Sequence, residues 1–349
     1  MARMKKILPA ATVEEEREAF PHDWTDICGH AEIIRRLRAL AAAERLPHAL
    51  LFSGMEGIGK RRTARVLART LLCAGGGDAP CGHCDACRTM MAGVHPDYFE
   101  AAPEARGKSA AMIRTDAVRE ILIAASGAPV SATRRIILID GADRMNEAAA
   151  NRLLKTLEEP TGAVLFILVT HAYDAVLPTI RSRAVRISFG TLPPADIEAA
   201  LVERGTENAA TIAALANGSL GRAYALAEEG LALRDDALDL LAQLPGLSIE
   251  NIWARAEALG ARPHEERTAW LSYVQMALRD LLVLYESGVA PLYHTDHRDD
   301  LTALLTRMTH ADIFTLLDGV RELDQRFAAN VNPALQVEAF LLRARKQFI

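Results

Sequence analysis

The sequence predicts an α/β core built on a parallel sheet, followed by helices that continue to the C-terminus. In the first half of the chain, all-apolar strand candidates alternate with amphipathic helices, which is typical of a parallel sheet flanked by helices. A glycine-rich loop joins one of these strands to a helix. After about Thr191 the strand patterns stop, and short amphipathic helices with glycine stops follow.

The strands of the core are predicted from short apolar runs. The first is "HALLFSG", His48 to Gly54, which leads into the glycine loop and then into the helical pattern "KRRTARVLARTLLC". Two more strands are predicted at Ile136 to Asp140 and at Ala163 to Thr170. Between them, "NEAAANRLLKTLEEP" is predicted to form a helix that stops at Pro160.

The C-terminal part is predicted to be helical from about Leu231. In "TAWLSYVQMALRDLLVLYES" the apolar residues from Trp270 to Tyr285 recur at helical spacing and form one face. Near the end, Asn332 is predicted to cap a helix whose first residue is Pro333. The pattern indicates three parts: an α/β core, a small helical lid and a helical C-terminal domain.

Composition limits the possible functions. The chain has 349 residues, of which 50% are hydrophobic and 24% charged, as in an ordinary globular protein with two or three domains. Because the net charge is -5, contact with nucleic acid would require a local basic patch or a partner protein. No stretch approaches the ~20 apolar residues that span a bilayer, and no apolar leader is found, so we expect a cytoplasmic protein.

The glycine loop, "GMEGIGKRRTA", almost matches the phosphate-binding pattern G-x-x-x-x-G-K-[ST]. Gly54, Gly59 and Lys60 occupy the expected positions, whereas Arg61 replaces the hydroxyl residue that ligates Mg²⁺. Arginine has no lone pair to offer a metal, and its charge repels one. Thr63 cannot substitute, because two helical positions turn a side chain by ~200°. A chance glycine turn is the alternative, which the flanking strand and helix disfavour.

The second part of a nucleotide site is also incomplete. Asp140 ends a predicted strand, where ATPases of this architecture place a metal-water ligand, but Gly141 stands where they place a catalytic glutamate. Asp143 is interpreted as a residue at a helix start rather than as a base. The two defects together predict that ATP is not bound productively and that the chain alone is not an ATPase.

A cysteine cluster lies in "CAGGGDAPCGHCDAC". Its spacing, C-x₇-C-x₂-C-x₂-C, allows four thiolates to hold one tetrahedral zinc ion with no open position, which predicts a structural site. The predicted ligands are Cys73, Cys81, Cys84 and Cys87. His83 and His95 are possible replacement ligands, and a redox dithiol or disulfides are the alternatives. Cys28 is interpreted as a small buried hydrophobic residue.

Two further motifs carry a resemblance to a known family. "NRLLKTLEEP", Asn151 to Pro160, resembles a signature of bacterial clamp-loader subunits of the AAA+ class, and "LPTIRSRAVRISF" resembles their Ser-Arg-Cys motif. The glycine loop, the cysteine segment and "NVNPALQVEAFLLR" follow in the family's order, over most of the chain from Trp24. The resemblance implies an AAA+ core at residues 1–190 with a zinc-binding insert at about 73–95, a helical lid at 191–230 and an all-α collar domain at 231–349.

The resemblance also implies a role in DNA replication. Such a chain helps to load the sliding clamp onto primed DNA, as a non-hydrolysing subunit beside gamma/tau and delta subunits in a hetero-pentameric ring. It assigns Ser182 and Arg183 to an arginine-finger motif that acts on a neighbour's nucleotide, with Ala184 in place of the family's cysteine. Gly221 stands where ATPase relatives carry a phosphate-sensing arginine, and Thr170 at the first sensor position is expected to make local hydrogen bonds.

Several alternatives remain open from the sequence. Arg183 could be a solvated surface arginine. A basic run could be an exposed helix face or a contact for DNA phosphates or an acidic partner; its members are Arg61, Arg62, Arg65 and Arg69. For the whole chain, the rival functions are an active ATPase of the same architecture and a zinc-dependent DNA-binding module that acts alone.

Overall fold

The computed structural model describes residues 20–104, 111–159, 162–286, 290–327 and 332–348. It divides into two compact units, Met1–Ile197 with Gly218–Gly221, and Glu198–Asn217 with Arg222–Ile349. The finer division into core, lid and collar at residues 190 and 230 remains a prediction.

The first unit contains a five-stranded sheet with the order β2-β3-β4-β1-β5, in which all neighbouring strands are parallel. The strands are β1 Ala49–Ser53, β2 Tyr98–Ala101, β3 Arg135–Asp140, β4 Val164–Thr170 and β5 Val185–Ser188. The three strands predicted from apolar runs, β1, β3 and β4, form the buried centre. Ser53 pairs with Thr170 and with Ser188, so these strands end at one edge, where the glycine loop begins.

The two outer strands were not predicted, for different reasons. Strand β2 has only four residues and includes Glu100, whose charge interrupts the apolar pattern. Strand β5 lies at the sheet edge and buries only Ile187. Neither strand therefore shows the continuous hydrophobicity of a central parallel strand.

Helices cover both faces of this sheet. They are α1 Ala31–Ala42, α2 Lys60–Leu72, α3 Asp85–Met91, α4 Thr115–Ala125, α5 Glu147–Glu158 and α6 Pro178–Arg181. One core cluster joins α1 and α2 to Phe52, and the other joins α4 and α5 to Phe166. Asn146 caps α5 by accepting a hydrogen bond from the Ala149 N–H. Pro160, the predicted stop of this helix, lies outside the described residues.

Three short helices follow the sheet: α7 Pro194–Glu203, α8 Ala209–Leu215 and α9 Leu220–Glu229. The regular elements described after them are helical, as predicted: α10 Ala232–Gln243, α11 Ile249–Gly260, α12 His264–Glu286, α13 Arg298–Leu305, α14 His310–Phe327 and α15 Pro333–Arg345. Within the described ranges, no helix combines the length and apolar character needed to cross a membrane.

The predicted apolar face of α12 is largely confirmed, since Trp270, Val274 and Leu278 are buried. Tyr285 was wrongly placed on it. This residue lies in the last turn of the helix, is 48% exposed and contacts the His310 ring at 5.4 Å between centroids. The cap predicted for α15 is confirmed, because the Asn332 side chain accepts from the Ala334 N–H.

Candidate functional site

The phosphate loop connects β1 to α2 at the carboxyl edge of the sheet, which is the position that the pattern requires. The Lys60 side chain is buried and turns back onto the loop. Its ammonium donates to the carbonyl oxygens of Gly54 at 2.7 Å and Met55 at 2.5 Å. Burial lowers the pKa of Lys60. The lysine therefore stabilises the loop's own carbonyls in this structure.

The tip of the loop is covered by residues 218–221, which belong to the same compact unit. The Gly221 N–H donates to the Gly57 carbonyl at 2.8 Å, and the Ser219 hydroxyl donates to the Glu56 carbonyl at 2.8 Å. A Cβ atom added to Gly221 would lie 2.9 Å from the Gly57 Cα. Only glycine permits this approach of two backbones, so there is no room here for an arginine at position 221.

Arg61 stands at the hydroxyl position of the phosphate-loop pattern and contacts two carboxylates. Its guanidinium lies 2.7 Å from a Glu100 carboxylate oxygen and 3.4 Å from an Asp140 carboxylate oxygen. Arg65 reaches the same Glu100 carboxylate at 2.9 Å, and the Tyr98 hydroxyl donates to it at 2.6 Å. Two arginines and two carboxylates thus form a neutral cluster that we call the Arg61–Glu100 cluster.

The two carboxylates of this cluster differ in their pKa. Burial would raise the pKa of Glu100, but Arg65 and Arg61 outweigh it and hold the pKa below its usual range. For Asp140, burial prevails over the attraction of Arg61, and the pKa is raised. Glu100 is therefore the principal anion that pairs with the arginines, and Asp140 is the weaker partner.

Gly141 and Asp143 follow β3, where an ATPase of this architecture would carry its catalytic acid. Gly141 has a φ of 85°, and a Cβ atom there would lie 2.7 Å from the Pro103 side chain, so a glutamate does not fit without strain. Asp143 lies in a short 3₁₀ helix, as its interpretation as a helix-start residue suggests, and accepts a hydrogen bond from the Thr170 hydroxyl. Its other oxygen lies 3.1 Å from the His171 ring. The expectation that Thr170 makes local hydrogen bonds agrees with this geometry.

The basic run on α2 is mostly turned inward. Arg65 pairs with Glu100, and Arg69 is 1% exposed and donates to the carbonyls of Pro21 and His22. Together with Arg61, three of the four arginines hold internal partners. The idea that the whole run forms an exposed face or a phosphate contact is therefore wrong, since these side chains join α2 to β2 and to the segment before α1.

The four predicted zinc ligands converge. One ligand atom from each of Cys73, Cys81, Cys84 and Cys87 lies within 4.8 Å of the others, and all four are free thiols. The Cys73 and Cys84 sulfurs are 3.9 Å apart. A tetrahedral zinc with bonds of ~2.3 Å spaces its sulfurs by ~3.8 Å, so the arrangement fits such an ion.

Local geometry favours the thiolate form of Cys81 and Cys84, whereas burial raises the pKa of Cys87 to about 12. The backbone N–H groups of Cys81 and Cys87 donate to the sulfurs of Cys73 at 3.3 Å and Cys84 at 3.4 Å. Burial opposes ionisation of Cys84, but hydrogen bonds from the backbone and from neighbouring thiols lower its pKa to about 6. The four cysteines could hold a metal ion with the sulfur ligands that zinc prefers.

The histidines near the cluster, and the fifth cysteine, have other surroundings. The His83 ring bonds the Cys81 carbonyl at 2.8 Å, and the buried His95 ring accepts from the Asp97 N–H at 3.1 Å. Cys28 is only partly buried and donates to the Asp196 carbonyl at 3.7 Å. Its interpretation as a small buried hydrophobic residue is therefore wrong, because the residue is of intermediate burial.

The loop of the cysteine segment is attached to the start of the α/β unit. The Trp24 indole N–H donates to the Asp78 carbonyl at 2.9 Å, and the Arg38 guanidinium pairs with the Asp78 carboxylate at 2.6 Å. A change in the fold of this segment would therefore alter the surroundings of the Trp24 indole.

Ser182 and Arg183, which the resemblance assigns to an arginine-finger motif, follow α6 and precede the edge strand β5. Arg183 is 33% exposed at its side chain and forms an ion pair with Glu158, the last residue of α5. Its guanidinium also donates to the Thr179 carbonyl at 2.9 Å and to the Ser182 hydroxyl at 3.3 Å. The structure thus brings Ser182 and Arg183 together and adds a carboxylate that the sequence reasoning did not consider.

Sequence reasoning missed three elements of these sites: Glu100, Glu158 and the cover over the loop tip. Glu100 lies on an unpredicted strand, so nothing in the chain pointed to its pairing with Arg61. Glu158 is inside a motif already noted, and its position at a helix end was a usable signal. For the cover, Gly218 and Gly221 in "GSLGRA" indicate an unusual backbone segment, but the sequence does not show that this segment contacts Gly57.

The parallel sheet and the glycine loop at its carboxyl edge are those of a P-loop protein in which Arg61 replaces the usual hydroxyl residue. A family model described as DNA polymerase III, delta subunit matches residues 29–193. The DNA polymerase III subunit delta' of Pseudomonas aeruginosa is 32% identical over 85% of this chain and 91% of its own length. The chain belongs to the family of DNA polymerase III delta' subunits.

A second delta' relative agrees with this assignment. The delta' subunit of Escherichia coli is 31% identical over 88% of this chain and 92% of its own length. The gamma/tau subunit of Mycobacterium tuberculosis is 36% identical, but over only 53% of this chain and 32% of its own length. A Thermotoga maritima gamma subunit-related protein of known structure covers 90% of this chain and 99% of its own, with 18% identity and a TM-score of 0.41. Similarity to delta' thus extends beyond the half shared with gamma/tau.

Proposed function

We propose that this chain is the non-hydrolysing subunit of a clamp loader, which places the sliding clamp on primed DNA during replication. The observation that supports the proposal is the Arg61–Glu100 cluster, in which the residue at the loop's hydroxyl position is an arginine paired with carboxylates and offers no ligand to a metal ion. The cover over the loop tip, at Gly57 and Gly221, supports it independently. Under this proposal the chain is not an enzyme by itself and serves as a rigid part of the polymerase holoenzyme.

The partners follow from the family. Delta' relatives are named as subunits of DNA polymerase III, and we infer that this chain joins gamma/tau and delta subunits in a hetero-pentameric ring that acts on the clamp and on primed DNA. We infer further that the helical segment 231–349 is its main assembly surface. Arg61 at the hydroxyl position of the loop disfavours an active ATPase. The arginines of α2 that hold internal partners disfavour a DNA-binding module that acts alone.

The metal proposed for the four cysteines is a structural zinc ion. When bound, it would cross-link residues 73–87 and leave no position open for chemistry. The cysteines themselves, together with the contacts of Asp78 to Arg38 and Trp24, fix this segment on the α/β unit.

The proposed contribution to chemistry comes from Arg183, in the motif shared with Ser182. A guanidinium can bridge the phosphate oxygens of a nucleotide held by the next subunit. It can thereby stabilise the charge that develops in the transition state for hydrolysis of that nucleotide. In GTPases such arginine fingers increase the hydrolysis rate by roughly 10³–10⁵-fold. In a ring with several nucleotide sites, the total hydrolysis rate should fall by less, because only one site faces this chain.

The test is a complex reconstituted with Arg183→Ala in place of the wild-type chain. We expect normal assembly, reduced DNA- and clamp-stimulated ATP hydrolysis and impaired clamp loading. Arg183→Lys should rescue poorly, because lysine keeps the charge without the planar fork. Arg181→Ala, which removes a neighbouring arginine paired with Asp174, is the matched control. Wild-type rates with Arg183→Ala would make Arg183 a surface arginine.

A further inference from the structure

The contact between Arg183 and Glu158 has no part in the function proposed so far. We propose that Glu158 is a positioning residue that orients the Arg183 guanidinium towards the nucleotide of the neighbouring subunit. The inference rests on the proposed function, since it needs Arg183 to act as a finger. Its physical basis is an ion pair between the end of α5 and the turn that follows α6.

Both sides of this contact are held by rigid elements. Helix α5 is anchored by Leu153 and Leu157, which are 0% and 1% exposed, so its last residue has a fixed place. On the other side, Ile180 of α6 is 0% exposed and fixes the turn that carries Arg183. The carboxylate of Glu158 therefore restricts a long side chain that would otherwise sample many rotamers, and that freedom is lost before the nucleotide arrives.

The contacts leave donors available. Those found within the described residues use the two terminal nitrogens of Arg183, with Glu158 on one and Thr179 and Ser182 on the other. A guanidinium carries more N–H donors than these contacts use. With a third of the side chain exposed, the remaining donors can meet phosphate oxygens while the carboxylate stays in place.

The exposure of Glu158 sets the size of the effect. Its side chain is 49% exposed, so the ion pair is screened by water and resembles a surface pair rather than a buried one. Loss of the carboxylate should weaken the orientation of Arg183 without unfolding the unit. We therefore expect about a two- to fivefold effect on rate.

The experiment is a double-mutant cycle in the reconstituted complex with its ATPase partners, measured as clamp- and DNA-stimulated ATP hydrolysis. The four chains are wild type, Glu158→Gln, Arg183→Ala and the double mutant. We expect Glu158→Gln to lower kcat about two- to fivefold with KM for ATP unchanged, and to have no effect in the Arg183→Ala background. Glu159→Gln, which neutralises the adjacent exposed carboxylate, should match wild type.

The outcomes separate this inference from the function on which it rests. If Arg183→Ala is impaired and Glu158→Gln is normal, the finger stands and the positioning role is wrong. A loss with Glu158→Gln that persists in the Arg183→Ala background would show a merely structural role. A faster Glu158→Gln complex would show that the contact restrains Arg183, which also overturns the inference. Normal rates with Arg183→Ala would refute the finger itself.

Discussion

Replacing Glu100 by glutamine removes the charge that Arg61 and Arg65 share. The glutamine keeps one acceptor oxygen, but both guanidinium groups lose an ionic partner at 2.7 and 2.9 Å. The side chain of Glu100 is 10% exposed, and those of Arg61 and Arg65 are 24% and 12% exposed, so water compensates little. The cluster is therefore expected to depend strongly on this single carboxylate.

The magnitude follows from these exposures and distances. Removing one partner of a fully buried ion pair destabilises a protein by about 3–5 kcal/mol. Arg61 retains Asp140 at 3.4 Å and is partly hydrated, so we expect the lower end, about 3 kcal/mol. For a unit of this size that corresponds to a fall in Tm of roughly 6–12 °C. Asp140→Asn should change stability by less than about 1 kcal/mol, because burial already disfavours its charge.

The assay is urea unfolding followed by Trp24 fluorescence, in a background with Trp253→Phe and Trp270→Phe, since those two residues lie in the second unit. Glu120→Gln, at an exposed position on α4, is the control and should stay within about 0.5 kcal/mol of its parent. A loss below about 1 kcal/mol for Glu100→Gln, or an equal loss for Asp140→Asn, would refute the account of the cluster.

The stabilities of the wild-type chain and Glu100→Gln are also predicted to depend differently on pH. The folded state lowers the pKa of Glu100, so its contribution to stability is complete above the unfolded value, about 4.3, and is lost as the pH falls through the folded value. The difference between wild type and Glu100→Gln should therefore be constant near neutral pH and shrink in acid. A difference that grows as the pH falls would contradict the sign of this shift.

Three further predictions address the remaining proposals. The isolated chain should not hydrolyse Mg-ATP, and Lys60→Ala should give the same hydrolysis rate as the wild-type chain. Substantial hydrolysis that disappears with Lys60→Ala would contradict the proposal that the chain is not an ATPase. Elemental analysis should find about one zinc per chain in the wild type and less in Cys81→Ser. Removal of the metal by a chelator should shift the fluorescence emission of Trp24, because the contact between Trp24 and Asp78 would be released. Protein that is purified without chelator and contains no metal would overturn the zinc site. Truncation after Gly230 should abolish co-purification with the other subunits, and quantitative retention would rule out the C-terminal helices as the main assembly surface.

The sequence predicts those parts of the fold that depend on local pattern. Strands β1, β3 and β4 are recognisable because a central parallel strand is apolar on both faces. Strand β5 is not, because an edge strand buries one residue in four, here Ile187. Likewise, the C-x₂-C spacing brings together ligands that are close in the chain, so the convergence of the four cysteines is predictable.

Long-range pairing between polar residues is not predictable in this way. Arg61 and Glu100 are 39 residues apart and meet only because β2 lies beside β3 next to α2. The sequence shows that Arg61 cannot bind a metal, but not that an acid neutralises it. Glu158 and Arg183 are 25 residues apart and depend in the same way on where two helices end.

Under the proposed function, the approach of Gly57 to Gly221 would make a working nucleotide site difficult to install by mutation. An arginine at position 221 would first have to displace the Gly57 backbone, which a Cβ atom would meet at 2.9 Å. A hydroxyl at position 61 would separately remove a partner of Glu100 and gain no catalytic acid. Each single step would therefore disturb a contact of the present structure, so a working nucleotide site would require concerted changes in distant parts of the sequence.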